Sequence, residues 1–268
     1  MQPDQRLTTV TNTLIERLLQ AVRDLNITEP ELRAALAFLT RVGQANEFVL
    51  LSDVLQVSVL VDELSHAADP QDAATAHNVE GPQYRDAAPL LPSPAAICTP
   101  DEPGEVLFLT GQVRDATTNA PIPCAVVDVW QTNLSGYYEN EDPHQAEFNL
   151  RGRVQCDAQG IYDVRTVVPG PYQIARGGPV GEFLLSVGRH DWRPAHIHTK
   201  VYASGYVPLT TMLFVPGDPW LESDAIGAVK SDLIATFTRV TDPATIQSRG
   251  LTEPFITSRF DFALRQVS

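Results

Sequence analysis

A β-sandwich preceded by an all-α region is the fold class this sequence predicts, and three observations point to it. Apolar residues recur at three- and four-residue steps through the first 64 positions, the period of helices with one buried stripe. Seven of the 21 prolines then fall between His66 and Pro103. From Gly104 onward, short runs of alternating apolar and polar residues are separated by turn-forming residues, as in a sandwich or barrel. The expected organisation is an N-terminal helical region over 1–65, a proline-rich crossing segment over 66–103 and a β domain over 104–268.

The first helix is expected over 7–25, where Val10, Leu14, Ile15, Leu18, Leu19, Val22 and Leu25 form a stripe. The second begins at Thr28-Glu29-Pro30-Glu31. Threonine caps it, Glu31 returns the capping bond, and proline is tolerated in a first turn. Leu32, Ala35, Leu36 and Leu39 continue its stripe. A third helix is expected over 47–64. The crossing segment has too many prolines for a helix or a central strand. Strands are expected at 105–113, 124–131, 160–168, 183–188, 195–202, 209–215, 235–240 and 255–264. One helix is expected among them, near 223–234, with Asp224 as its cap.

Composition excludes several functions. The chain has 268 residues, 19 basic and 33 acidic side chains, and a formal net charge of −14. Such a surface repels nucleic acid and anionic lipid. No run reaches the ~18 apolar residues of a membrane span, and the N-terminus lacks a basic segment followed by an apolar run. Cys98, Cys124 and Cys156 are an odd number at wide spacing, neither a disulfide framework nor a zinc knuckle. A cytoplasmic protein with reduced thiols is the expectation.

The sharpest local feature is Arg193-Pro194-Ala195-His196-Ile197-His198. Alternate residues of a strand share a face, so His196 and His198 are placed to chelate one metal ion; they also read as the lining of a polar face. The cupin pattern of His-x-His followed by Glu fails, because Tyr202 and Ala203 stand where the Glu is needed. A two-histidine, one-carboxylate triad lacks its acid, since Asp191 falls in the preceding turn. Tyrosine remains. Tyr138 follows a glycine turn, and Tyr172 sits in the proline-stiffened Pro169-Gly170-Pro171 loop. Two phenolates with two imidazoles suit a ferric ion better than zinc or copper; singly, each tyrosine also reads as an ordinary loop residue.

The segments Asp128-Val129-Trp130-Gln131, Gly136-Tyr137-Tyr138, Phe148-Asn149-Leu150-Arg151-Gly152-Arg153, Tyr172, Gly178-Pro179-Val180 and Gly188-Arg189-His190 through His198 closely resemble the intradiol ring-cleaving dioxygenases. The resemblance spans nearly the whole chain, including Leu51-Ser52-Asp53-Val54-Leu55 and Glu80-Gly81-Pro82. It implies Fe(III) held by Tyr138, Tyr172, His196 and His198, with Tyr172 and His198 axial. It implies that Arg193 stabilises charge on the substrate, and that Tyr172 leaves the metal as a base when an aromatic diol binds with O2. It implies a substrate pocket of Leu50, Asp53, Val79, Gly81, Pro82, Gln83, Ile174 and Ile226 with Arg193. A homodimer through the N-terminal helices, with a phospholipid-like amphiphile between them, belongs to the same implication.

Within the family, Val129-Trp130-Gln131, Tyr172-Gln173-Ile174 and Gly188 through Arg193 lean toward the branch cleaving hydroxyquinol (benzene-1,2,4-triol). Catechol and chlorocatechol are the alternatives. Asp53 suits a third ring hydroxyl, although it also reads as a local helix hydrogen-bonder. Gln83 stands where relatives place an apolar or aromatic residue, and Met212 where catechol enzymes carry glutamine. These two departures also admit a β-sandwich that binds catechols without turnover.

Overall fold

The computed structural model describes residues 4–66 and 73–267. They form two compact units, one ending at Phe48 and one beginning at Val49.

The first unit holds α1 (Gln5–Leu25) and α2 (Glu29–Gln44). Asp4 caps α1 by accepting the Leu7 amide at 3.1 Å, and Asn26 ends it in the left-handed region. At the start of α2, Glu31 Oε2 accepts both the amide and the hydroxyl of Thr28 at 2.7 Å, so the expected reciprocal cap forms. The α1 stripe forms and is exposed among the described residues: Leu14, Leu18 and Leu25 are exposed, as are Leu32, Leu36 and Leu39 of α2.

The second unit opens one residue into α3 (Phe48–Val54) and continues with α4 (Val57–Ser65), rather than one helix over 47–64. Gln56 adopts φ 62°, which ends α3 and re-aims the chain before α4. Both helices and the described part of the crossing segment therefore lie in the same compact unit as the strands. The crossing segment contributes two short strands, β1 (Leu90–Pro92) and β2 (Ala95–Ala96). Each lies at the edge of its sheet, where a proline removes no ladder bond.

The remaining strands are β3 (Val106–Asp115), β4 (Val126–Gln131), β5 (Arg151–Gln155), β6 (Ile161–Val167), β7 (Tyr172–Gln173), β8 (Trp192–Arg193), β9 (His196–Tyr202), β10 (Leu209–Phe214), β11 (Phe237–Val240), β12 (Phe255–Arg259) and β13 (Phe262–Leu264). One five-stranded sheet runs β1-β5-β4-β9-β10, and a six-stranded mixed sheet runs β11-β12-β3-β6-β2 with β13 also on β3. Strands β7 and β8 pair alone, setting Tyr172 opposite Arg193. One core takes residues from both large sheets, including Leu107, Val127, Val129, Val164, Ile197, Val201 and Phe262.

Two expected elements are corrected. Residues 183–188 do not form a strand. They lie mostly in helix α5 (Gly178–Ser186), which Pro179 opens from its first turn; a short apolar run does not distinguish the two states. Residues 223–234 do not form a helix. Gly227 sits at φ 67°, outside the helical region. The Asp224 carboxylate is engaged by an arginine (below), and a single 3₁₀ turn at Ser231–Leu233 is all that forms. Helix α6 (Pro243–Ser248) lies further on. Strand β5 was not foreseen, because Arg-Gly-Arg-Val-Gln has no alternation to reveal it. Among the described residues, no helix is long and apolar enough to cross a membrane.

Asp128 on β4 is buried and accepts the Tyr84 hydroxyl at 3.2 Å. Burial pushes its carboxyl up to about 6. A raised carboxylate value means that the group's contribution is full below its unfolded pKa near 4 and is lost as pH rises through 6. Asp128→Asn is therefore expected to unfold at higher urea than the parent at pH 7, by up to about 3 kcal/mol, and to match it at pH 3.5. Equal stability at pH 7 contradicts this account.

Candidate metal centre and substrate pocket

Strand β9 carries out the alternation its sequence demands. Ile197 faces the core, while His196 and His198 share the opposite face, with their Nε2 atoms 3.1 Å apart. Both imidazoles are buried. His196 Nδ1 lies 2.7 Å from the Pro194 carbonyl, which accepts only from N–H; the neutral ring therefore carries its lone pair on Nε2. Burial, then the Arg193 charge, lowers His196 to about 3. Burial and His196 hold His198 well below the usual histidine value. Both rings are thus neutral at physiological pH, as metal ligation requires.

Trp130 on β4 pairs directly with His198 and stacks on its ring at 4.7 Å and 4°. Gly81 adopts φ 73°, and a Cβ there would stand 3.5 Å from His198 Cε1. The ring therefore neighbours both an indole and a backbone turn that favours glycine.

The two tyrosines complete the cluster. Tyr138 is buried, and its ring meets Tyr172 edge-on at 5.5 Å. Tyr172 lies 5.6 Å from the His196 ring and Tyr138 lies 6.2 Å from the His198 ring. Burial, then Tyr172, raises the Tyr138 phenol well above its ordinary value; a bound cation reverses that preference. Arg151 stands over the Tyr138 ring at 5.6 Å and is buried in an ion pair with Glu139. These two residues had no assigned role in the sequence, although Arg151 lies within a motif that carried the resemblance.

Arg193 links the cluster to the pocket. Its Nη1 is 3.3 Å from His196 Nε2 and 3.5 Å from the Tyr172 hydroxyl. Nε and Nη2 donate to the two oxygens of Asp224 at 3.0 and 3.2 Å. Nη2 also reaches the Met212 sulfur at 3.5 Å, a weak acceptor where glutamine would offer a stronger one. Burial disfavours the guanidinium charge, and Asp224 outweighs it, so the arginine stays protonated. Burial likewise opposes ionisation of Asp224, and Arg193 reverses this to lower its value.

A cavity of about 540 Å³, counting its open mouth, lies over these groups. Leu50 and Asp53 of α3 line one side, and Val79, Gly81, Pro82 and Gln83 of the crossing segment another. Ile174 and Ile226 close it, with Tyr138, Tyr172, Arg193 and His198 also lining it. The structure thus gathers at one cavity the residues singled out from the sequence, with His196 next to His198. It adds Glu141 and Gln173. Glu141 accepts the Tyr138 amide at 3.1 Å and the Gln83 amide group at 2.9 Å. Its signal was a carboxylate three residues after Tyr138, the spacing of a local turn. Asn140 donates to Gln83 at 2.8 Å, so the amide that replaces an apolar wall is held in place. Burial raises the Asp53 carboxyl, against a Ser58 hydrogen bond and the Arg193 charge.

The donor set is two imidazole nitrogens and two phenol oxygens, enclosed together. The Nε2 atoms of the two histidines stand 3.1 Å apart, and the Tyr172 and His196 rings are 5.6 Å apart. This set fits a hard, high-valent cation such as Fe(III).

Comparison with known proteins agrees with the geometry. A family model described as dioxygenase matches residues 79–266, and one described as catechol dioxygenase N terminus matches residues 4–73. The chain belongs to the intradiol ring-cleaving dioxygenases. It is 40% identical over 253 residues to a hydroxyquinol 1,2-dioxygenase from a Rhizobium species, covering 92% of this chain and 84% of that one. It is 37% identical over 235 residues to a chlorocatechol 1,2-dioxygenase from Rhodococcus opacus, covering 85% and 90%. The solved hydroxyquinol 1,2-dioxygenase of Pseudomonas putida superposes with a TM-score of 0.91 at 35% identity, over 100% of this chain and 94% of that one. As a member of this family, the chain is an oxidoreductase that cleaves an aromatic diol between its hydroxylated carbons.

Proposed function

We propose that this intradiol dioxygenase holds Fe(III) through Tyr138, Tyr172, His196 and His198 and takes hydroxyquinol as its preferred substrate. The observation that carries the substrate reading is Asp53, a buried carboxyl on the wall of the pocket that also contains Tyr172 and Arg193. A third ring hydroxyl donates to it. Catechol leaves it with the Ser58 hydrogen bond alone, and chlorocatechol sets against it a halogen that donates no hydrogen bond. The polar Gln83 and Glu141 wall, and the likeness to two hydroxyquinol 1,2-dioxygenases, support the same reading.

Iron held by these four residues would supply Lewis acidity toward the diol. The residues do the rest. Tyr172 is half-buried and lines the cavity, so with a cation bound its phenol oxygen would be placed to accept a proton from an incoming diol. Arg193, held charged by Asp224, presents Nη1 beside Tyr172 and stabilises negative charge on the oxygens of the ring. Val79, Pro82, Ile174 and Ile226 give the ring an apolar slot.

Two large sheets feeding one core support a β-sandwich. The uncovered stripes of α1 and α2 support a homodimer through these helices, with an amphiphile seated between them, and a cytoplasmic location fits the acidic composition.

An oxygen electrode tests the substrate. Uptake with hydroxyquinol is expected to exceed that with catechol or 4-chlorocatechol by at least about tenfold in kcat/KM. Asp53→Leu is expected to narrow this ratio by lowering the hydroxyquinol value alone. A preference for catechol in the parent overturns the substrate reading. No uptake with any diol at full iron occupancy leaves a binding module instead.

A further inference from the structure

Arg151 stands outside the lining of the substrate cavity, yet every nitrogen of its buried guanidinium is committed at the edge of the site. Nε pairs with Glu139, the residue after Tyr138. Nη2 donates to Asn140 Oδ1 at 3.0 Å. Nη1 donates at 2.5 Å to the carbonyl of Gln83, 68 residues away in the crossing segment. We propose that Arg151 is a positioning residue of the metal centre: it fixes the loop that carries Tyr138 against the Gln83 wall of the pocket. The role rests on the reading of Tyr138 as a ligand, and concerns how that phenol is held.

Strand register places the side chain. Arg151 pairs with Trp130, and Trp130 pairs with His198. Residues directly opposite on neighbouring strands share a face, so Arg151 projects from the face that bears His198. Its Cζ stands 5.6 Å from the centre of the Tyr138 ring.

The residues after Tyr138 are tied down in turn. Glu139 and Asn140 are held by Arg151 itself. Glu141 is held through the Gln83 side chain, whose amide it accepts at 2.9 Å. Glu141 then closes back on Tyr138, accepting its amide at 3.1 Å and donating its own amide to the Tyr138 carbonyl at 3.0 Å. The backbone of the tyrosine is therefore gripped by a chain of bonds that ends on one guanidinium.

Stability alone is a weak reason for such a group, because desolvation offsets the attraction within a buried ion pair. What arginine adds is direction: a planar fork of N–H donors that a lysine ammonium cannot copy. Its charge acts in the same sense. Burial dominates the ionisation of Tyr138 and His198, and Arg151 adds a smaller push toward the phenolate and the neutral imidazole, the forms that ligation requires.

The test is competition for iron between the loaded full chain and EDTA. The visible spectrum is recorded at full occupancy, and urea unfolding of the iron-free chain checks folding. Arg151→Met is expected to weaken iron binding about 10–100-fold, the usual cost of losing a group that orients a ligand, and to shift the phenolate band. Glu139 keeps Arg85 as an ion-pair partner in that variant, so its carboxylate is not left alone. Arg151→Lys keeps the charge but brings one nitrogen to acceptors that need separate ones, and is expected to weaken iron about tenfold or more; it decides the matter alone if the methionine variant does not fold. Arg85→Met breaks the other ion pair of Glu139 and leaves the bonds of Arg151 in place, so parental iron affinity and spectrum are expected. Tyr138→Phe, run beside them, reports on the ligand reading by itself: a parental spectrum there removes Tyr138 from the ligand set. An altered spectrum there, with parental iron affinity and spectrum in the Arg151 variants, overturns the role of Arg151 and leaves the ligand reading intact. Equal iron loss in Arg85→Met also overturns it, because the effect then belongs to the Glu139 charge.

Discussion

Tyr138→Phe is expected to shift and weaken the visible colour that phenolate ligation gives an iron protein, leaving only the Tyr172 contribution, and to lower oxygen uptake with any diol by 100-fold or more. Loss of a group that merely supports a ligand costs about 10–100-fold, and Tyr138 is proposed as a ligand itself. The substitution is a clean one. Tyr138 is buried, and its ring packs edge-on against Tyr172 and beneath Arg151; phenylalanine keeps those contacts. Only the oxygen is lost, and in the metal-free chain that oxygen is one whose ionisation burial opposes. The phenol is neutral in the folded and unfolded metal-free chain alike, so that variant should lose only the hydrogen bond between Tyr138 and Tyr172 and unfold within about 1 kcal/mol of the parent. A visible spectrum identical to that of the parent at full iron occupancy would remove Tyr138 from the ligand set.

Asp224→Ala is expected to cost about 3–5 kcal/mol of stability and most of the activity together. Both members of the Arg193–Asp224 pair are almost fully buried, with side-chain exposures of 4% and 1%. Removing one partner strands a buried charge, which costs far more than the pair itself contributes. The same carboxylate also accepts the amides of Ile226 and Ala228 at 3.4 and 3.0 Å, so the loop that brings Ile226 to the pocket loses its anchor. Urea unfolding and oxygen uptake read the two effects. The double variant Arg193→Met with Asp224→Ala separates them: stability is expected to recover substantially, because no uncompensated charge remains, while activity stays lost. If the double variant is as unstable as the single one, the cost lies in the loop rather than in the charge.

Features that depend on neighbouring residues are legible in the sequence. The stripe and the Thr28–Glu31 cap define α1 and α2, and the alternation of His196, Ile197 and His198 defines β9. Failures follow from the same logic. Phe183–Leu185 is a short apolar run that reads equally as strand or helix. Asp224 looked like a helix cap because acids favour that position, yet Arg193, 31 residues away, takes its carboxylate. Strand β5 is amphipathic in neither period. It exists because β1 and β4 flank it and because Glu139 and the Gln83 carbonyl satisfy the buried Arg151.

The chain's own order of residues thus specifies the donor atoms, the helices that carry their own caps, and the face on which two histidines stand. These depend on backbone periodicity and on contacts within a turn or two, which any stretch of chain makes alone. Folding supplies what distance in the chain conceals. It sets Tyr172 opposite Arg193, stacks Trp130 on His198, binds Asp224 to Arg193 and holds Gln83 with Glu141. Those partners come from separate segments, and burial changes what each group does: it leaves the histidines neutral and makes the arginine's charge depend on one carboxylate. Composition alone suggested a soluble acidic protein and no metal. The electrostatics of an enclosed site, created only when those segments meet, make a metal centre chemically reasonable in a chain of net charge −14.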